Sequence, residues 1–148
     1  ATVEEINFQP RSSSGGENYG WNMLEGTLCY RADPPCIFEG TTPPILEYDR
    51  SVGSSVTGGY RYRGAEHPEL QGVYVYADYG SRSILAATQG NDGWENQIAF
   101  RTSEASYIAS LAEDANGELY PIDLDGTIYR IDLTNRTQQL FLPLLATE

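Results

Sequence analysis

Hydrophobic residues along this chain alternate with polar ones in short runs, and Gly, Pro, Asn and Asp interrupt every run. No segment longer than about ten residues keeps a helical period. Gly72-Val73-Tyr74-Val75-Tyr76-Ala77-Asp78 and Thr127-Ile128-Tyr129-Arg130-Ile131-Asp132-Leu133 carry β-branched and aromatic side chains at a period of two, as half-buried strands require. Asp125-Gly126, between Glu118–Leu124 and Thr127–Leu133, predicts a type I′ hairpin turn, which needs positive φ at both centres. Asn116-Gly117 reads the same way. The chain is expected to be all-β, with about ten short strands.

The pattern repeats. The stretch from Gly72 to Ala87 lies over Gly117 to Asp132 with small slips, at an offset of 45 residues. That spacing is typical of β-propeller blades, four-stranded sheets of roughly 40–50 residues each. A β-sandwich with similar hairpins gives the same signal, and both readings stand at this point. At about 45 residues per blade the chain holds about three, whereas propellers close with about four to eight. The expected organisation is one partial propeller domain over 1–148, with blade regions near 1–50, 51–105 and 106–140. An open array would expose sheet edges, so either identical chains complete a ring or the chain is a piece of a longer protein.

Charge narrows the partners. The chain has 148 residues, 40% of them apolar, which is enough for a core. Nine basic side chains against 21 acidic ones give a net charge of −12. That balance argues against nucleic acid and anionic membrane, which need clustered Lys and Arg. No apolar run approaches the roughly 20 residues that span a bilayer, and no signal-peptide pattern opens the sequence. Every basic residue is Arg. The lack of Lys removes Schiff-base chemistry, an amine general base and a phosphate-binding lysine. One His and two Cys leave little for a catalytic triad or a zinc site.

Several side chains remain as candidates. His67 sits in the polar loop Ala65-Glu66-His67-Pro68-Glu69 and is expected to be a solvated loop histidine, since a general base needs a pocket and an orienting partner. Cys29 and Cys36 flank Pro34-Pro35. In an exported protein this spacing suits a small disulfide that pins a loop; two thiols or a metal pair are the other readings. Asp114–Glu118 and Asp123–Gly126 look like calcium-loop fragments without the terminal bidentate Glu, and Asx-stabilised turns account for both. Asn135-Arg136-Thr137 fits a glycosylation sequon. Arg61, Arg63, Arg82 and Asp78, with Tyr60, Tyr62 and Tyr76, are candidates to bind an anionic or sugar ligand. The competing reading pairs the arginines with the many carboxylates. Trp21 and Trp94 are expected to fill gaps between blades rather than stack on sugars.

Six motifs in order carry a family resemblance. They are Val3-Glu4-Glu5-Ile6-Asn7, Gly16-Glu17-Asn18-Tyr19-Gly20-Trp21-Asn22 with Glu25-Gly26, and Pro43-Pro44-Ile45-Leu46-Glu47-Tyr48. Ser55-Val56-Thr57-Gly58-Gly59-Tyr60-Arg61-Tyr62-Arg63-Gly64, Leu70-Gln71-Gly72-Val73-Tyr74 and Ala112-Glu113-Asp114-Ala115-Asn116-Gly117-Glu118-Leu119-Tyr120 complete the set. Together they resemble the glucose/sorbosone dehydrogenase family, which includes soluble quinoprotein sugar dehydrogenases and the propeller of hedgehog-interacting proteins. The likeness runs from Val3 to Ile131. It implies the C-terminal half of a six-bladed propeller.

The resemblance also implies a cofactor site that this sequence departs from. Quinoprotein members hold pyrroloquinoline quinone (PQQ) with Arg and Lys side chains and calcium beside a catalytic His. Here Gly80 or Ser81 stands where the lysine would fall, and Tyr107 and Ala109 stand near the paired arginines. No catalytic or PQQ-binding residue carries over. A structural calcium near Glu5 and Tyr19 is implied by the enzyme-type members, and a paired Cys at the Cys29–Cys36 position by the hedgehog-interacting type. The expected function is a non-catalytic ligand-binding or scaffold module, periplasmic or extracellular, completed by self-association and taking no cofactor. The alternative is a PQQ- and calcium-dependent aldose dehydrogenase, as an oligomer or part of a longer enzyme.

Overall fold

The computed structural model describes residues 2–30, 35–91, 93–101, 105–131 and 142–143. The chain is all-β: its described residues form twelve strands, and their only helical turn is the 3-10 turn Pro68–Leu70. No helix is long and apolar enough to cross a membrane. The chain divides into two compact units, Ala1–Val52 and Gly53–Glu148.

The first unit holds β1 (Val3–Ile6), β2 (Leu24–Glu25), β3 (Leu28–Cys29) and β4 (Leu46–Asp49). β1 runs antiparallel to β4, with Val3 opposite Asp49 and Ile6 opposite Leu46. Ile6, Leu24 and Tyr48 are its buried apolar residues. β2 and β3 form a hairpin whose tip is held by two carboxylates. Glu5 Oε2 accepts the Gly26 amide at 2.8 Å. Glu47 accepts the Thr27 amide at 2.8 Å and its hydroxyl at 2.7 Å. Cys29 and Cys36 are joined in a disulfide, with a Cα–Cα distance of 5.7 Å.

The second unit begins with β5 (Val56–Arg61), β6 (Tyr74–Asp78), β7 (Ser83–Gly90) and β8 (Gly93–Arg101), which pair antiparallel in sequence order. Such a four-stranded meander is the unit of which propeller blades are made. At Gly59 of β5 any Cβ would collide with the Val75 carbonyl, and the register with β6 shifts between Thr57 and Gly59. β9 (Ile108–Glu113) pairs with β10 (Leu119–Asp123), and β11 (Tyr129–Arg130) with β12 (Leu142–Pro143). One core cluster draws on both groups, including Tyr62, Val75, Ala77, Ile84, Ile108, Leu111, Leu119 and Tyr129. These apolar side chains supply the main driving force for folding the unit.

The 45-residue repeat is visible in the backbone. Gly72 at φ +77° and Gly117 at φ +84° each precede a strand, β6 and β10 respectively, whose bounds differ by that offset. The predicted type I′ turns, however, are not formed. Arg82 is the one described non-glycine with positive φ, so Asp125 and Asn116 are not left-handed. Instead the Gly126 amide donates to Asp123 O at 3.0 Å and the Asp123 amide to Thr127 O at 2.8 Å. The Asp114 turn repeats this pattern through Gly117 and Glu118. Both are type I turns closed by a left-handed glycine. The carboxylate that opens each turn explains the choice, because it accepts amides two residues on: Asn116 at 2.8 Å for Asp114 and Asp125 at 3.2 Å for Asp123. This Asx geometry favours right-handed backbone at the next positions. Of the predicted strand 127–133, Ile128 forms a bridge to Ile122 and Tyr129–Arg130 is β11. Residues 132–133, the sequon at Asn135 and the end of the third blade region lie outside the described residues.

Candidate functional site

Two adjoining loops of the second unit enclose an open cleft of about 280 Å³, lined by Gly80, Arg82, Ser106 and Tyr107. The β6–β7 turn supplies the first wall. Asp78, at the end of β6, is wholly buried. Its Oδ2 accepts the Ser54 and Ser55 amides at 2.8 Å each, and its Oδ1 the Ser81 amide at 2.7 Å. That fixes the turn, and Arg82 completes it at φ +57° with its side chain exposed. A left-handed arginine costs on the order of 1 kcal/mol against glycine. Asp123 supplies the second wall by accepting the Ser106 amide and, at 3.3 Å, that of Tyr107. The Tyr107 ring stacks on Tyr79 with centroids 4.7 Å apart and an 18° interplanar angle. The cleft thus presents one guanidinium, one hydroxyl-bearing serine and an aromatic shelf.

The other sequence candidates lie elsewhere. Arg61 donates from Nε to the Gly72 carbonyl at 2.8 Å. Arg63 forms a two-point pair with Glu113, at 3.0 and 2.5 Å, in line with the carboxylate-pairing reading. Tyr60 is exposed, whereas Tyr62 and Tyr76 are buried. His67 departs from expectation. It is buried, its ring Nε2 lies 3.1 Å from the Ile131 carbonyl, and its amide donates to the Tyr62 hydroxyl at 3.0 Å. The loop folds inward because Glu118 accepts the Ala65 and Glu66 amides, at 2.8 and 3.0 Å. Trp21 also departs from the gap-filling expectation, since 70% of it is exposed. Trp94 is half-buried on β8.

Charge in this unit is shaped by burial. Tyr62 donates to Glu118 Oε2 at 2.5 Å. Burial, then this bond to a carboxylate, raises the Tyr62 phenol well above its ordinary range. For Glu118 burial alone would raise the pKa, but the bonds from Tyr62 and from the Glu66 and Ala65 amides outweigh it and hold the carboxyl below its usual value. Asp114 is lowered too, first by the Glu118 amide. No sequence signal singled out the Tyr62–Glu118 pair, because the partners are 56 residues apart.

The residues present do not fit the cofactors that the resemblance implies. By the resemblance, Gly80 or Ser81 stands at the lysine position and Tyr107 and Ala109 near the arginines of a PQQ site, and a tricarboxylate would meet one guanidinium in this cleft. In the first unit, Glu5 has one oxygen on the Gly26 amide and the other 3.1 Å from Asn7 Nδ2, while Tyr19 is half-buried. Calcium takes six to eight oxygens. Among the described residues no three His, Cys, Asp or Glu side chains gather as a metal site.

No protein-family model matches the chain. It is similar to the HIPL1 protein of Arabidopsis thaliana, 28% identical over 166 residues that cover 88% of this chain and 23% of that protein. It is similar to the same plant's HIPL2 protein to the same degree, 28% over 163 residues with the same coverage. The chain therefore spans about a quarter of the length of these curated relatives. Both likenesses support a HIPL-type propeller family and leave the sugar dehydrogenase side of the resemblance unsupported.

Proposed function

We propose that the chain is a non-catalytic ligand-binding module of a HIPL-type propeller, and that the Arg82 cleft is its binding site for a small sugar-like molecule. The observation that carries this reading is the contrast between the cleft and the titratable groups. Asp78 and Asp123 are spent on loop amides and His67 packs against a carbonyl, while Arg82 and Tyr107 stay exposed at an open cleft. A guanidinium offers forked donors to a carboxylate or vicinal hydroxyls, and a stacked tyrosine offers an apolar face with a polar tip. The Cys29–Cys36 disulfide supports a periplasmic or extracellular setting. Further blades, from a second copy or from the rest of a longer chain, complete the ring, because about three are too few to close one.

Two experiments test the reading. With PQQ, calcium, aldoses and a redox dye, no saturable turnover is expected; turnover would establish the sugar dehydrogenase alternative. Light scattering on a sizing column should give a mass above one chain at micromolar concentration, and a folded monomer would overturn self-association.

A further inference from the structure

The first unit carries a second surface that neither the cleft nor the fold uses. Trp21 is 70% exposed and Tyr30 47% exposed, yet their rings touch, with centroids 4.9 Å apart and planes tilted by 43°. An indole this open to water forfeits the burial that ordinarily stabilises it. The pair is also held in place. The Met23 and Leu24 amides both donate to the Gly20 carbonyl at 2.9 Å, and the Tyr30 amide donates to the Met23 carbonyl at 2.9 Å. The disulfide closes the chain at Cys29, next to Tyr30.

We infer that the Trp21–Tyr30 pair is a binding platform for a neutral carbohydrate chain. Two rings set at an angle make a shallow trough, and the C–H face of a pyranose offers an apolar surface of matching size. Hydroxyls at the sugar's rim meet the amide of Asn22, which is exposed and follows Trp21 in the chain. Fixed rings lose little conformational entropy on binding, which favours a weak, rigid site for a repeating ligand. Charge selects within the class: a chain of net charge −12 without lysine repels polyanionic glycans, whereas neutral ones are indifferent to it. Leu28, Ile37 and Phe38 are exposed as well. An apolar protein partner would use them with the rings, so they provide the control.

The test is titration calorimetry of the whole chain with cellohexaose, laminarihexaose and chitohexaose, with heparin as the polyanion. At least one neutral hexasaccharide should bind saturably and heparin should not. Trp21→Ala and Tyr30→Ala should each weaken binding by about tenfold or more. Trp21→Phe should restore most of it, and Ile37→Ser/Phe38→Ser should leave it within about twofold. Thermal melts confirm that each variant is folded. The inference falls if all three neutral glycans fail to bind at millimolar concentration. It falls equally if Trp21→Ala binds as wild type, or if the Ile37/Phe38 variant loses as much as Trp21→Ala.

Discussion

Asp78 and Asp123, 45 positions apart, play equivalent parts, since each ends a strand and draws the preceding loop onto it through backbone amides. Asp78 takes those of Ser54 and Ser55, and Asp123 those of Ser106 and Tyr107. Both carboxylates are buried. A buried charge is tolerated when its oxygens are saturated by donors, and hydrogen bonds to a charged acceptor are worth more than neutral ones.

Replacing either carboxylate by an amide sets an N–H group against amide donors. Asp78→Asn and Asp123→Asn are each expected to destabilise the second unit by about 1.5–3 kcal/mol. Urea denaturation followed by circular dichroism checks this, and a change within about 0.5 kcal/mol in both variants would show that the loops close without the clamp.

Removing the Tyr62 hydroxyl leaves Glu118 Oε2 and the His67 amide without their shared partner. Tyr62→Phe should cost about 1–3 kcal/mol. In the same variant, amide exchange at Ala65–His67 should speed up more than at β6, because the loop is anchored through Glu118.

The pH dependence has two limbs. Glu118 and Asp114 titrate below their ordinary range in the folded chain. Their contribution is therefore fully present above about pH 5 and is lost as acid protonates them, below about pH 4. Tyr62 is raised, so its contribution holds below about pH 10 and falls as pH climbs past the unfolded value. Melting temperature measured against pH should be flat from about pH 6 to 9 and drop on both sides. A maximum at the isoelectric pH, near 4.3, would contradict these assignments.

Opening the disulfide should loosen the loop that positions Tyr30. Cys29→Ser/Cys36→Ser is expected to cost the first unit about 2–3 kcal/mol by the chain-entropy estimate for so short a loop. Cysteine-specific labelling of the unreduced protein checks the bond itself: neither Cys29 nor Cys36 should react.

The strands and their repeat were legible because they rest on local pattern. Gly72 and Gly117 mark the same backbone need, and Tyr74–Asp78 and Leu119–Asp123 alternate alike. The Asx turns at Asp114 and Asp123 were legible too, but not that these side chains, rather than the Asn-Gly and Asp-Gly pairs, decide against type I′. Burial of polar groups was not legible. Asp78 looks like any surface aspartate until Ser54 and Ser55 arrive from over twenty residues away. His67 likewise looks solvated until Glu118, 51 residues on, folds its loop inward. Of the candidate arginines only Arg82 lines the cleft. Its left-handed φ leaves no mark in the sequence, because glycine is the usual occupant of that conformation.

That backbone strain makes Arg82→Gly the most direct test of the binding reading. The glycine should relieve the turn and raise the melting temperature slightly, while deleting the cleft's guanidinium. Titration calorimetry of wild type and Arg82→Gly with glucuronate is expected to show saturable binding in the first, weakened by about tenfold or more in the second. Equal binding by the two chains, or none by either, would contradict a ligand site at this cleft.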